Sequence, residues 1–201
     1  MKHIALLTTL LLSASLQAVE KPYDYVFFEN SLMKGDYFYS QAKYTSPSWI
    51  KNARHHLPVA GSVAFTPGNS LELTYVSAPG GDWYSEIQYC PVRGNDFFRE
   101  PSTLSMQVRL RESMNAAALP NIAIRYADST YTQYLNLRNY LKDTRPGVWH
   151  PVSIPLEDFG LNAVNDTNIK KLAAVALRPG TADGNEYTIY LDDIELLPAS
   201  L

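Results

Sequence analysis

Residues 104–111 read Leu-Ser-Met-Gln-Val-Arg-Leu-Arg, an unbroken alternation of apolar and polar side chains. With a period of two, Leu104, Met106, Val108 and Leu110 share one face of a β-strand, while Ser105, Gln107, Arg109 and Arg111 share the other. On a helix the same residues would be scattered around the axis, leaving no apolar stripe to bury. One face of this strand therefore meets a core, and the other meets water or a ligand.

The pattern recurs along the chain. Leu71, Leu73 and Tyr75 alternate with Glu72 and Thr74, and after the Pro79-Gly80-Gly81-Asp82 break a second strand is predicted over Trp83–Tyr89. Further strands are predicted over 121–126, 131–137, 149–154, 172–177 and 187–196, with turn residues such as Arg145-Pro146-Gly147 and Asp183-Gly184 between them. Only 115–119 and 156–161 suit a helical turn. Many short strands at regular spacing predict an all-β jelly-roll sandwich of two antiparallel sheets.

The first eighteen residues stand apart. Lys2 and His3 precede an apolar run from Ile4 to Leu12, then small and polar residues up to Ala18, the three-part pattern of a secretory leader. That run is about half the length a bilayer requires. The expectation is a leader over 1–18, one domain over 19–201 and a secreted or periplasmic location, with no membrane insertion. The lone Cys90 has no internal partner and reads as an inert thiol. A net charge of −3 gives no electrostatic footprint for nucleic acid.

The last third is the most specific. Gly147-Val148-Trp149-His150-Pro151-Val152-Ser153-Ile154-Pro155-Leu156 is followed by Ile169-Lys170-Lys171-Leu172, then by Tyr187-Thr188-Ile189-Tyr190-Leu191-Asp192-Asp193-Ile194-Glu195-Leu196. This ordered set resembles the closing half of galactose-binding-like jelly rolls, a superfamily that includes many carbohydrate-binding modules and the domain related to a complex I assembly factor. Phe27-Phe28-Glu29-Asn30 is similar to its opening strand. The resemblance implies a non-catalytic module that binds a polysaccharide or oligosaccharide, working either alone or beside a carbohydrate-active enzyme. It also implies a structural calcium held by Glu29 and Asp192, tying the two chain ends together. Two acids alone read equally as a solvated pair closing a strand.

Strand parity then selects a binding face. Ile122 and Ile124 point inward and Arg125 outward; Leu135 and Leu137 point inward, with Tyr134 and Asn136 outward. Ala173, Val175 and Leu177 point inward and leave Arg178 outside. Ile87 and Tyr89 join the core, so Tyr84, Glu86 and Gln88 share the outer face. With Gln107 and Arg109 from the strand described first, this is a lysine-free surface of Arg, Gln, Asn, Glu and Tyr. Aromatic rings pack on pyranose faces, amides and guanidinium groups hydrogen-bond hydroxyls, and Arg grips carboxylate or sulfate at two points. An acidic polysaccharide therefore enters as a candidate ligand, against an ordinary polar sheet surface. Trp83 follows a glycine turn and is placed at the rim of the face, with a core position as its alternative; Trp149 is expected to be structural.

No HExxH, G-x-S-x-G or P-loop occurs, and adjacent His55 and His56 on a strand would point to opposite faces. The enzymatic alternative is a polysaccharide lyase, with Tyr84, Tyr134, His150 and Arg125 as raw materials, or a hydrolase that needs two carboxylates across a cleft. A third reading is a structural or adhesion domain without a sugar ligand. The chain ends just after its last predicted strand, so no appended catalytic domain is expected.

Overall fold

In the computed structural model, residues 25–29, 31–89, 101–161 and 171–198 are described. Twelve strands run in order: β1 Tyr25–Phe28, β2 Ser40–Thr45, β3 Trp49–Ile50, β4 Val59–Ala60, β5 Ser70–Val76, β6 Asp82–Gln88, β7 Pro101–Leu110, β8 Asn121–Tyr126, β9 Leu135–Asn136, β10 Trp149–Pro155, β11 Leu172–Arg178 and β12 Glu186–Pro198. Short 3-10 turns occupy Ala116–Ala118, Leu137–Asn139 and Leu156–Phe159. No described helix is long and apolar enough to cross a membrane.

Two antiparallel sheets form a jelly-roll sandwich. One has the order β10-β7-β12-β5-β3, with β1 also on β12 and β4 also on β5; the other has the order β2-β6-β11-β8-β9. Alternation drives both. From the seven-stranded sheet Leu71, Leu73, Tyr75, Leu104, Met106, Val108, Leu110, Ile189 and Leu191 enter the core. From the five-stranded sheet Ala42, Trp83, Ile87, Ile122, Ile124, Val175 and Leu177 meet them. Tyr75 and Trp83 join the layers directly, with ring centroids 4.8 Å apart. Each fully buried large side chain stabilises such a core by roughly 1.5–3 kcal/mol before entropy is counted.

A bulge decides the parity of the last strand. Register shifts between Asp192 and Glu195, and Asp193 takes a left-handed φ of 47°. The extra residue lets Leu191, Ile194 and Leu196 all face the core, which strict alternation forbids. In β11 a similar shift between Leu172 and Ala174 brings Leu172 into the core in place of the expected Ala173.

The expected strands after residue 70 are present, with one shortened. Residues 131–137 yield only Leu135–Asn136, because Asn136 accepts from the Arg138 amide and caps the 3-10 turn that follows. β2, β3 and β4 were not anticipated; Ser40 and Ala42 give β2 too little apolar contrast to show a period. The proposed leader, Asn30 and Cys90 lie outside the described residues.

Candidate functional site

The outer face of the five-stranded sheet gathers most of the anticipated polar residues. Three rows cross it by strand register. Lys43 faces Tyr84, Tyr84 lies in the row of Arg178, and Arg178 faces Asn121. Gln41 faces Glu86, then Ala176 and Ala123 follow. Gln88 faces Ala174, which faces Arg125. Ala123, Ala174 and Ala176 are fully buried yet lie outside the core cluster, covered by the larger side chains of their rows.

Glu86 is the hub of this face. Its side chain is 6% exposed and that of Arg125 is 16% exposed. Arg125 Nε donates to Oε2 at 2.8 Å and Gln88 Nε2 donates to Oε1 at 3.0 Å. The Tyr84 hydroxyl also donates to Oε2. A buried carboxylate is stable only when its lone pairs are met this fully. Burial, then the hydrogen bond to Glu86, pushes the Tyr84 phenol well above its ordinary range. The network fixes three side chains that would otherwise rotate, so the face is organised before any ligand arrives.

Above the hub lies an aromatic and cationic rim. The Arg178 guanidinium lies 5.7 Å from the Tyr84 ring centroid and 5.5 Å from that of Tyr134. Lys43 Nζ lies 5.0 Å from the Tyr84 ring. Tyr131 stacks on Tyr134 at 6.0 Å, and its hydroxyl is 3.2 Å from that of Tyr84. Tyr131 is 38% exposed and is the ring most open to solvent.

Tyr84, Glu86, Gln88, Arg125, Tyr134, Asn136 and Arg178 are thus brought to one sheet, although the Asn136 amide is taken up by Leu119 O and Asn121 Oδ1, both at 3.0 Å. Three expectations are corrected. Trp83 is not at the rim: it is 1% exposed, with Nε1 donating to Ser77 Oγ at 2.9 Å inside the core. Gln107 and Arg109 lie on β7 of the opposite sheet, where Arg109 faces Trp149 and Tyr190. Their outward parity is as expected, but outward there means the other side of the molecule.

Lys43, Gln41 and Tyr131 were missed. β2 had no readable period, and strict strand parity separates Tyr131 from Tyr134. The chain leaves the strand between them, after a single bridge of Tyr131 to Arg125, and that break puts both rings on one side.

The chain-end acids sit elsewhere. Asp192 is fully buried on the outer side of β12, where Oδ2 accepts from the amides of Phe65 at 2.8 Å and Thr66 at 3.2 Å. Oδ1 accepts from the Asp193 amide at 2.9 Å. Burial pushes its carboxyl up to about 6 against the pull of those three amides. These donors anchor the loop before β5 and take three of the roughly four acceptor positions of the carboxylate, leaving Asp192 one on Oδ1 to offer a cation. Among the described residues no group of three His, Cys, Asp or Glu side chains converges as a metal site.

The materials for a lyase are not assembled. His150 is buried on the seven-stranded sheet, its Nε2 2.9 Å from Arg145 O, while Tyr84, Tyr134 and Arg125 belong to the other sheet. Glu86, held by three donors, is no free base.

Comparison with known proteins agrees with this geometry. The family described as carbohydrate binding domain 30 matches residues 24–197. The fold is similar to the family 30 carbohydrate-binding module of a cellulosomal cellulase of Clostridium thermocellum, with TM-score 0.61 and 16% identity, covering 89% of this chain and 99% of that one. It is similar to a further family 30 module with TM-score 0.61 and 17% identity, covering 90% of each chain. A family 11 module of Clostridium thermocellum, solved with a β-1,3-1,4-mixed-linked tetrasaccharide, matches with TM-score 0.55 and 13% identity over 86% of this chain and 95% of that one.

Proposed function

Because this chain belongs to the carbohydrate binding domain 30 family and is a non-catalytic carbohydrate-binding module, we propose that a polysaccharide lies across the outer face of its five-stranded sheet. The observation that carries this is the rim of Tyr84, Tyr131, Tyr134 and Arg178 on one sheet face, organised from beneath by the Glu86 network. A pyranose ring presents an apolar face and a belt of hydroxyls. The face matches it with the exposed Tyr131 ring and with amide, phenol and guanidinium groups. Arg125 is neutralised by Glu86, whereas Arg178 and Lys43 add positive charge along the rim. We therefore propose that chains bearing uronate groups bind more tightly than neutral ones.

Affinity electrophoresis in soluble mixed-linked β-glucan and in polygalacturonate tests both points. Retardation of the parent protein, lost in Arg178→Ala, supports the face; stronger retardation in polygalacturonate supports the charge preference. Equal retardation of parent and variant overturns the face, and stronger retardation in the glucan overturns the preference.

Export through the leader over 1–18, and action beside a carbohydrate-active enzyme, belong to the same proposal. Amino-terminal sequencing of exported protein tests the first: a start near Val19 supports it, and a retained Met1 overturns it. Structural calcium is a separate proposal resting on Glu29, just after β1, and on the acceptor position left on Asp192. A calcium ion takes about six to eight oxygens, so backbone carbonyls would supply most of them. A melting temperature raised by calcium and lowered by EDTA supports it; no change with either overturns it.

A further inference from the structure

A second hollow opens beside the start of β2. Met33, Lys34, Asp36, Phe38, Arg54 and His56 line a cavity of about 350 Å³, within the range of small-ligand pockets, roughly 300–1,000 Å³. Phe38 is 68% exposed, with its ring 5.7 Å from the His56 imidazole. Tyr39 meets the same ring edge-on at 5.4 Å, and the exposed remainder of the Phe38 ring offers a stacking platform.

The polar wall is built as deliberately. Arg54 donates to Asp36 at two points, Nε to Oδ2 at 3.1 Å and Nη2 to Oδ1 at 2.7 Å. That contact holds the Asp36 carboxyl below its ordinary range and raises Arg54. The Arg54 side chain is 82% exposed, so its remaining N–H groups are free to meet solvent or ligand.

The turn that presents it is unusual. Ala53 and His56 exchange both backbone hydrogen bonds at 2.9 Å, closing a two-residue loop of Arg54 and His55. Those residues have φ of 53° and 67°, the left-handed region that such loops normally fill with Asn-Gly. Nothing in the turn itself needs a guanidinium there; the Asp36 clamp and the hollow do.

Position ties the hollow to the sheet. The row Arg125, Ala174, Gln88 ends at Tyr39, just before β2, where the Gln88 backbone N–H donates to Tyr39 O at 2.7 Å, one residue from Phe38. A chain laid along that row runs off the sheet edge toward the hollow. We propose that this hollow is an extension subsite for one further pyranose unit of the polysaccharide. Phe38 stacks on the ring, while Asp36 and Arg54 bind its hydroxyls or carboxylate. The inference rests on the sheet face as the main site.

The test compares tetrasaccharide and octasaccharide fragments of mixed-linked β-glucan and of polygalacturonate by titration calorimetry. The variants are Phe38→Ala, Arg54→Gly and Arg178→Ala. Arg54→Gly keeps the turn, because glycine suits a positive φ, so a loss of affinity there is not a loss of fold. The expected result is unchanged tetrasaccharide affinity in Phe38→Ala and Arg54→Gly with about tenfold weaker octasaccharide binding, whereas Arg178→Ala weakens both lengths. Parent-like octasaccharide affinity in both hollow variants overturns the subsite and leaves the sheet face standing. Parent-like binding of both lengths in Arg178→Ala overturns the sheet face instead. Failure of every fragment to bind the parent protein overturns both.

Discussion

Arg125 reaches across β11 to grip Glu86 on β6, Nε donating to Oε2 at 2.8 Å with the two side chains 16% and 6% exposed. An ion pair this deep on a sheet surface contributes organisation more than stability, since taking both charges out of water offsets their attraction. Removing one partner alone is another matter. Arg125→Ala leaves Glu86 buried and uncompensated and should lower stability by about 3 kcal/mol. Adding Glu86→Gln should recover much of that loss. Urea midpoints check both, and a single variant as stable as the parent would show that the pair is open to water in solution.

Arg178 differs because its side chain reaches solvent and its contacts are two tyrosine rings. Arg178→Ala should change stability by at most about 1 kcal/mol while weakening polysaccharide binding severalfold. Arg178→Lys keeps the charge but not the planar group, and should recover only part of the affinity. Thermal melting and affinity electrophoresis on the same samples separate the two effects.

Trp83 belongs to the core, and its replacement should show it. Trp83→Ala should destabilise by about 3–5 kcal/mol through cavity formation and loss of the bond to Ser77. Polysaccharide affinity per folded molecule should stay near that of the parent. A stable Trp83→Ala protein with lost affinity would place the ring at the ligand after all.

Asp192 sets a pH dependence whose sign is opposite to that of most carboxylates. Its folded carboxyl is pushed up to about 6, against roughly 3.9 in an unfolded chain. The folded state therefore holds the proton more tightly. The stability tied to this proton is fully present below about pH 4 and is lost as pH rises through about 6, a swing on the order of 3 kcal/mol. Denaturation in EDTA at pH 4.5 and pH 7 should show this component in the parent and its absence in Asp192→Asn. Identical slopes in the two proteins would rule it out.

Gln107 and Arg109 supply the complementary control. Substituting either by Ala should leave polysaccharide affinity unchanged, because β7 lies in the opposite layer. A large loss would move the ligand to the seven-stranded sheet.

Those two residues also show how far the amino-acid order reaches. Alternation told inside from outside correctly along β6, β7 and β8, because the apolar side chains of one face of each strand enter the core. It carried no word on which sheet a strand joins, since strands of both layers alternate identically. A bulge defeated it next: the shift before Ala174 reset parity in β11 without any apolar signature. Trp83 was misplaced because a glycine turn suggested a rim, whereas its own phase with Ile87 pointed inward. The hollow at Phe38 was invisible for a different reason, as it is assembled from segments on either side of β2 and β3.

The proposed binding face is laid on paired strands and its Glu86 hub is already locked, so recognition there would involve little induced rearrangement. A glycan that already favours the matching twist in water would bind with a small entropic penalty, whereas a flexible one would have to surrender its own freedom. Selectivity in such a module is then decided as much by the solution shape of the sugar chain as by the identity of its units.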